Sequence, residues 1–299
     1  MVIMISHEIP GEVSIIGLGD MGTSLVKTLL RSGYRVTVWN RTSSKAEPLV
    51  SEGAILAPSP AVAINASPII IICVSGYKAS NSILESEEVV SVLPGRLLIQ
   101  LSGGTPQDAR ESEAWAIEQK AEYIDGAILA TPAQIGMPET TIFVSGAEPS
   151  FQKSQSLLKC LAGNLQYLGV SVGAAIAWEL GFMSYLWGSM LGFFHGARIF
   201  ESEGIPVDAL GSMIINIAPL IGEMIKHESS VIQAEAYETP QSTLRVSSLS
   251  VELIVKQARE AGINSDIPTF VLRLFRKALE AGYGELEIGA LIKVLREAT

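Results

Sequence analysis

The run VSIIGLGDMG at residues 13–22 narrows the fold more than any other feature, because an apolar, strand-like stretch breaks there into Gly17, Gly19 and Gly22. Glycines on a G-x-G-x-x-G spacing between a strand and a helix have separate tasks. The first permits a tight turn, the second lets backbone approach a pyrophosphate, and the third lets helix and strand pack closely. The following helix then aims its first N–H groups at the anion. An ordinary glycine turn has the same spacing, so the surroundings must decide.

Those surroundings favour the nucleotide. β-rich runs at 13–16, 35–39, 68–74, 97–101, 122–124 and 141–144 alternate with amphipathic helical patterns. Such alternation predicts right-handed crossovers and a doubly wound, mostly parallel α/β sheet of the Rossmann type, assigned to residues 1–168. Beyond about residue 168 the strand signals stop. Helices are predicted from near 172 and over 205–226, 241–261, 267–281 and 286–297, with Gly262 and Gly282 where helix ends are expected. Residues 169–299 are thus read as a long interdomain helix leading into an all-α domain.

The second strand indicates which nucleotide. It ends in Asn40, Arg41, Thr42 and Ser43, with Lys45 close behind and no carboxylate. NAD sites usually place Asp or Glu here for the ribose 2′-hydroxyl, whereas a nearby Arg accommodates a 2′-phosphate. Arg41 can pair with that phosphate and stack on adenine, and Thr42 and Ser43 add hydroxyl donors. The expected cofactor is therefore NADPH, held by Gly17, Leu18, Gly19, Asp20, Met21, Gly22, Asn40, Arg41, Thr42, Ser43 and Lys45. The competing reading makes this stretch a solvated, helix-capping turn.

Composition narrows the partners. A formal charge of −10 repels phosphate backbones, which argues against nucleic acid and anionic membranes. A 48% hydrophobic share against 17% charged residues calls for much buried surface, within the chain or between subunits. Cys73 and Cys160 form no disulfide framework and read as reduced thiols. The opening MVIMISHEIP lacks a basic region followed by a long apolar stretch, so a cytoplasmic protein is expected. Residues 168–194 carry Glu179 as their only charge and reach the ~20 residues a membrane span needs. A carboxylate in mid-segment is costly in lipid, so the expectation is a helix buried between domains or subunits.

GLGDMG together with NRT at 40–42 resembles the β-hydroxyacid and 6-phosphogluconate dehydrogenase superfamily. QLSGGTPQDAR at 100–110, YIDGAILATPAQIG at 123–136 and MPETTIFVSG at 137–146 resemble the imine reductases and reductive aminases more narrowly. So do YLGVSVGAAIAWELGFMSYLWGSMLGFFHGA at 167–197 and AGYGELEIGALIKVLR at 281–296, so the likeness spans nearly the whole chain.

The resemblance implies NADPH-dependent reduction of C=N bonds, in cyclic imines or in imines formed from a ketone and an amine. It also implies a homodimer with exchanged helices, each active site lying between the Rossmann domain of one subunit and the helical domain of the other. Glu179 stands where β-hydroxyacid dehydrogenases carry a catalytic lysine and imine reductases commonly an Asp or Tyr. A carboxylate attracts an iminium where a cation repels it. Raised by burial, it could also donate a proton. Both roles remain open, as does that of an ordinary surface glutamate.

Helical spacing of four puts Met183 and Trp187 on the Glu179 face, as pocket wall or as plain core. In reductive aminases a tyrosine often stands at the place of Trp187, and indole is no useful acid. Relatives often carry Ser or Asn where this chain has Gly103; Ile128 matches another pocket-wall position. Cys73, Val74 and Ser75 are implied beside the nicotinamide ribose, and Ser102 is assigned to the cofactor as well. His7, His195 and His227 have neither metal-ligand spacing nor a triad partner, and no metal is expected. Two rivals stand: an NADP-dependent β-hydroxyacid dehydrogenase, opposed by the missing lysine at 179, and an NADPH-binding regulator without turnover, which Gly103 and Trp187 keep open.

Overall fold

A computed structural model describes residues 11–297. His7 and the opening segment read as carrying no export signal lie outside the described residues. The chain forms two units, the first ending at Ser184 and the second beginning at Tyr185.

The first unit is one sheet with helices on both faces. Its strands are β1 (Glu12–Ile16), β2 (Arg35–Trp39), β3 (Ile55–Leu56), β4 (Ile69–Ile72), β5 (Leu97–Gln100), β6 (Glu122–Leu129), β7 (Thr141–Gly146) and β8 (Asn164–Tyr167). Its helices are α1 (Asp20–Arg31), α2 (Glu47–Ser51), α3 (Pro60–Asn65), α4 (Tyr77–Leu84), α5 (Glu87–Val90), α6 (Pro106–Glu118) and α7 (Glu148–Leu161). The strand order is β3-β2-β1-β4-β5-β6-β7-β8, and every neighbouring pair is parallel except β6 with β7. The chain reverses direction of travel across the sheet between β1 and β4, the switch point where open α/β sheets bind ligands.

The strands form because their residues are apolar on both faces, as a covered parallel sheet requires. Ile15, Leu25, Leu29, Phe151 and Leu158 pack one face under α1 and α7. Ile16, Ile64, Ile70, Ile72, Tyr77 and Tyr123 pack the other under α3, α4 and α6. Each aliphatic side chain so buried stabilises the fold by roughly 1.5–3 kcal/mol.

All six expected strands are present. β3 and β8 were not foreseen, because one is only two residues long and the other, NLQY, alternates over only four residues and has no β-branched residue. The sixth strand also runs past residue 124 to Leu129, since Asp125 through Leu129 pair antiparallel with Ser145 through Thr141. Gly126, which reads as a breaker, is a packing requirement: a Cβ there would stand 2.7 Å from the Leu101 side chain and 3.0 Å from Phe143 O.

Helix α8 (Ala174–Ser202) carries the chain onward into α9 (Val207–Ala234), α10 (Leu244–Glu260), α11 (Asp266–Glu280) and α12 (Ile292–Arg296). The second unit packs around Tyr237, Leu244, Phe275, Ala278, Ala290 and Val294. Gly262 at φ +65 and Gly282 at φ +83 follow the last residues of α10 and α11, the left-handed positions that end a helix. Buried Glu287 accepts hydrogen bonds from Gln241 N at 2.5 Å and Ser242 N at 3.4 Å, tying the loop before α10 to the C-terminal turn.

Within the single chain the segment 168–194 is largely exposed: Trp178, Leu180, Phe182, Tyr185, Trp187 and Leu191 face outward, because apolar residues surround α8 on all sides and no one core can take them; burial between subunits is not tested by a single chain. Among the described residues, the helix long and apolar enough to cross a membrane, by length and composition only, is α9, with a mean hydropathy of 1.3. Its outward residues include Met213, Ile215, Leu220 and Met224.

Candidate active site

The glycine loop can be tested residue by residue. A Cβ on Gly17, at φ +104, would lie 2.2 Å from Cys73 O, and one on Gly22 would lie 2.1 Å from Gly17 O. Packing of the chain against itself therefore requires both. Gly19 differs: its φ is −72 and nothing lies within 4 Å of an added Cβ, so bareness there keeps room for a ligand rather than for the fold. It precedes α1 with no side-chain cap, leaving the first-turn N–H groups to an anion.

Asn40 joins this loop to the end of β2. Its Oδ1 accepts from Leu18 N at 3.0 Å, and its Nδ2 donates to Thr42 O at 2.8 Å. Ser102 braces from the other side, its Oγ accepting from Val74 N at 3.0 Å. Together they frame a cleft of about 710 Å³ at the switch point.

The cleft is lined by Gly17, Leu18, Gly19, Asp20, Met21 and Gly22, by Asn40, Arg41, Thr42 and Lys45, and by Cys73, Val74 and Ser75. Two residues assigned to the nucleotide stand apart: exposed Ser43 opens a 3-10 turn, and Ser102 is buried behind Val74. Sequence reading missed Trp39, Pro60, Ala79, Ser82, Ile83 and Ser86. Trp39, last in β2, was findable as the neighbour of Asn40. The α4 residues carry no motif and are recruited by the position of their helix.

Arg41 and Lys45 are exposed and enter no ion pair among the described residues, although the protein carries a net −10. Two free cations next to a glycine cradle fit a dinucleotide with a 2′-phosphate. Burial pushes the Cys73 thiol up to about 11, so it is a neutral wall of the cleft and no nucleophile.

Glu179 lies on α8, half-buried, and that burial raises its carboxyl above the usual range. Near it is a group that sequence reading did not single out. Asp125 on β6 is 0% exposed; its Oδ1 accepts a hydrogen bond from Tyr77 OH, and its Oδ2 has no partner among the described residues. Tyr123 OH donates in turn to Tyr77 OH at 3.4 Å. Burial pushes Asp125 up to about 8; the Tyr77 hydrogen bond pulls it down, and the Glu179 charge pushes it further up. The available signal was an acid inside the apolar run YIDGAIL.

The assigned substrate residues are not gathered with the nucleotide residues. Gly103 is exposed with open space around it, Ile128 is half-buried against the α1 side of the sheet, Met183 is half-buried, and Trp187 is 62% exposed. None of them, nor Glu179, lines the cleft. His227 does acquire neighbours that its sequence spacing hides, since its donor atom lies within 4.8 Å of those of Glu228 and Glu287.

A glycine loop at the switch point of a doubly wound sheet, followed by a helical unit, defines a two-part dinucleotide-dependent oxidoreductase. Residues 12–169 match the NAD-binding domain of 6-phosphogluconate dehydrogenase, and residues 171–297 match the C-terminal domain of NADPH-dependent reductive aminase-like proteins. An NADPH-dependent reductive aminase of Aspergillus oryzae is 32% identical across 95% of this chain and 97% of its own length. The solved imine reductase of Myxococcus stipitatus with NADP+ superposes at a TM-score of 0.90, with 32% identity over 95% of this chain and all (100%) of that one. The reductive aminase of Aspergillus terreus, solved with NADPH and ethyl-5-oxohexanoate, superposes at 0.87, with 30% identity over 96% of this chain and 99% of that one. The chain belongs to the imine reductase and reductive aminase family.

Proposed function

We propose that this protein uses NADPH to reduce C=N bonds, both in cyclic imines and in imines formed from a ketone and an amine. One observation carries the reading beyond family membership: the single charge in the first three turns of α8 is the half-buried carboxyl of Glu179. A negative group in a poorly solvated place attracts a protonated imine and disfavours an alkoxide. Its burial-raised carboxyl also suits the holding or giving of a proton.

The nucleotide, when bound, supplies hydride to the electrophilic carbon. Gly17, Gly19 and Gly22 cradle its pyrophosphate, Arg41 and Lys45 meet the 2′-phosphate with Thr42, and Cys73 to Ser75 flank the nicotinamide end. Asn40 and Ser102 hold those segments in place. Gly103, Ile128, Met183 and Trp187 are assigned to the substrate side.

The outward apolar faces of α8 and α9 support a homodimer in which a second copy covers them and completes the substrate side. Two free cysteines suit the reducing cytoplasm.

Purified protein is expected to consume NADPH when given 2-methylpyrroline, and when given cyclohexanone with an amine but not with the ketone alone. A protein that binds NADPH yet turns over none of these, or that instead reduces NADP+ with 3-hydroxyacids, overturns the reading.

A further inference from the structure

Glu287 is fixed at both its backbone and its side chain. Its N–H donates to Tyr237 O at 2.9 Å, and its carboxyl accepts from Gln241 N and Ser242 N. The carboxyl is therefore held in one orientation while only 2% exposed. Two further donor groups, near the C-terminal end of α9, meet it there. His227 Nε2 lies 3.9 Å from Glu287 Oε2, and His227, Glu228 and Glu287 each place a ligand atom within 4.8 Å of the other two.

Two observations separate this cluster from a chance meeting of polar side chains. His227 Nε2 and Glu228 Oε2 are both shut off from solvent, yet neither has a hydrogen-bond partner among the described residues. Buried polar atoms left in that condition cost free energy unless a ligand satisfies them. Space is also kept for the Glu228 carboxyl. Gly289, in the 3-10 turn Ile288–Leu291, is buried, and a Cβ there would stand 2.5 Å from Glu228 Oε2. Gly289 has no left-handed φ, so it is the carboxyl and not the backbone that calls for glycine. Neither carboxyl pairs with a lysine or arginine among the described residues.

We propose that His227, Glu228 and Glu287 form a binding site for a transition-metal dication of the zinc class, which ties α9 to the loop before α10 and to the C-terminal turn. The donor set selects the ion. Magnesium and calcium take oxygen ligands, whereas imidazole nitrogen with carboxylate oxygen suits zinc. Two carboxylates neutralise its two charges, and Glu287 Oε2 keeps a lone pair beside the one that accepts from Gln241 N. Ligands at the usual zinc distances stand roughly 3.3–3.5 Å apart in a tetrahedron. The 3.9 Å pair thus needs to close by only about half an ångström, and no pair by more than about 1.5 Å. The His227 side chain is 36% exposed, which leaves a route in from solvent and a place for water as the fourth ligand. All three residues belong to the second unit and none lines the nucleotide cleft, so the site is independent of the C=N reading.

The test uses the full chain without an affinity tag, stripped with EDTA and titrated with zinc chloride alone. One equivalent per chain should bind and raise the melting temperature, while magnesium chloride should leave it unmoved. Zinc K-edge absorption should show imidazole scattering and only nitrogen and oxygen ligands, at about 2.0–2.1 Å. His227→Gln and Glu228→Gln leave the bonds from Gln241 and Ser242 to Glu287 intact and should keep the metal-free fold. Each should weaken zinc binding by more than about 100-fold, since losing a mere supporting partner of a ligand already costs about 10- to 100-fold. Gly289→Ala removes no donor but displaces the Glu228 carboxyl, and should weaken binding by a smaller factor. A melting temperature that excess zinc does not raise overturns the proposal. So does a sulfur ligand at about 2.3 Å, or equal binding by His227→Gln and the parent, either of which assigns the ion to a cysteine or to another histidine. If His227→Gln does not fold, Glu228→Gln and Gly289→Ala decide.

Discussion

Between Gly17 and Ser86 the chain assembles a nucleotide cleft from consecutive βα units, each contributing the residues at the end of its strand. Glu179, Met183 and Trp187 sit instead along one exposed helix, while Gly103 and Ile128 lie on separate elements of the sheet. The first region lies within one copy of the chain, with loop, brace and exposed cations around one cleft. The second has outward apolar faces and no enclosing wall. The cleft is thus built within one unit, whereas the residues assigned to the substrate are not gathered into it.

The sharpest break between the regions is expected at Glu179. Glu179→Gln keeps the shape and removes the charge, so kcat should fall roughly 10²–10⁴-fold, the usual range for a positioned acid or base. NADPH affinity, measured by fluorescence titration, should stay the same, because Glu179 does not line the cleft. A fall in both would mean that the two regions are one site energetically.

Arg41→Ala tests the other side. A charge-assisted hydrogen bond contributes about 1.5–3 kcal/mol, which is about 10- to 150-fold in affinity. That loss should appear in NADPH and not in NADH binding, with kcat at saturating NADPH little changed. Equal loss with both nucleotides would remove the 2′-phosphate from the account of this residue.

Asn40→Ala should act more evenly. Without the side chain, Leu18 N and Thr42 O lose their partners and the glycine loop comes away from the end of β2. The expected loss is about 1–3 kcal/mol, visible as a lower melting temperature and as parallel weakening of NADPH and NADH. Selective weakening of NADPH alone would assign Asn40 to the phosphate and not to the frame.

These contrasts explain what the sequence made legible. Gly17, Gly19, Gly22 and Arg41 could be read because the physics that requires them acts within a strand, a turn and the start of a helix. Asp125 could not, because its partner Tyr77 lies on a different element and the two meet only when β6 takes its place in the sheet. The same distance effect cut β6 short in the reading: Asp125 and Gly126 look like breakers until β7 supplies the antiparallel ladder. For α8 the composition correctly signalled a surface in need of cover, yet periodicity cannot say whether that cover comes from the same chain. In the single chain the apolar faces of α8 and α9 are left outward.

Lys45 gives the finest discrimination within the cleft. Like Arg41 it is exposed and unpaired among the described residues, but an ammonium on a flexible stem meets a phosphate as a point charge, without the fixed fork of a guanidinium. Water screens such a charge, and its contribution should be about 0.2–1 kcal/mol, in the range of exposed ion pairs. Lys45→Ala should therefore weaken NADPH binding by no more than roughly fivefold, and added salt should erase the difference. Arg41→Ala should retain most of its deficit at the same salt concentration, since a bidentate contact depends on geometry as well as charge. If the two variants lose affinity equally and respond equally to salt, the end of β2 is a diffuse positive patch, and the specific assignment of Arg41 to the 2′-phosphate fails with it.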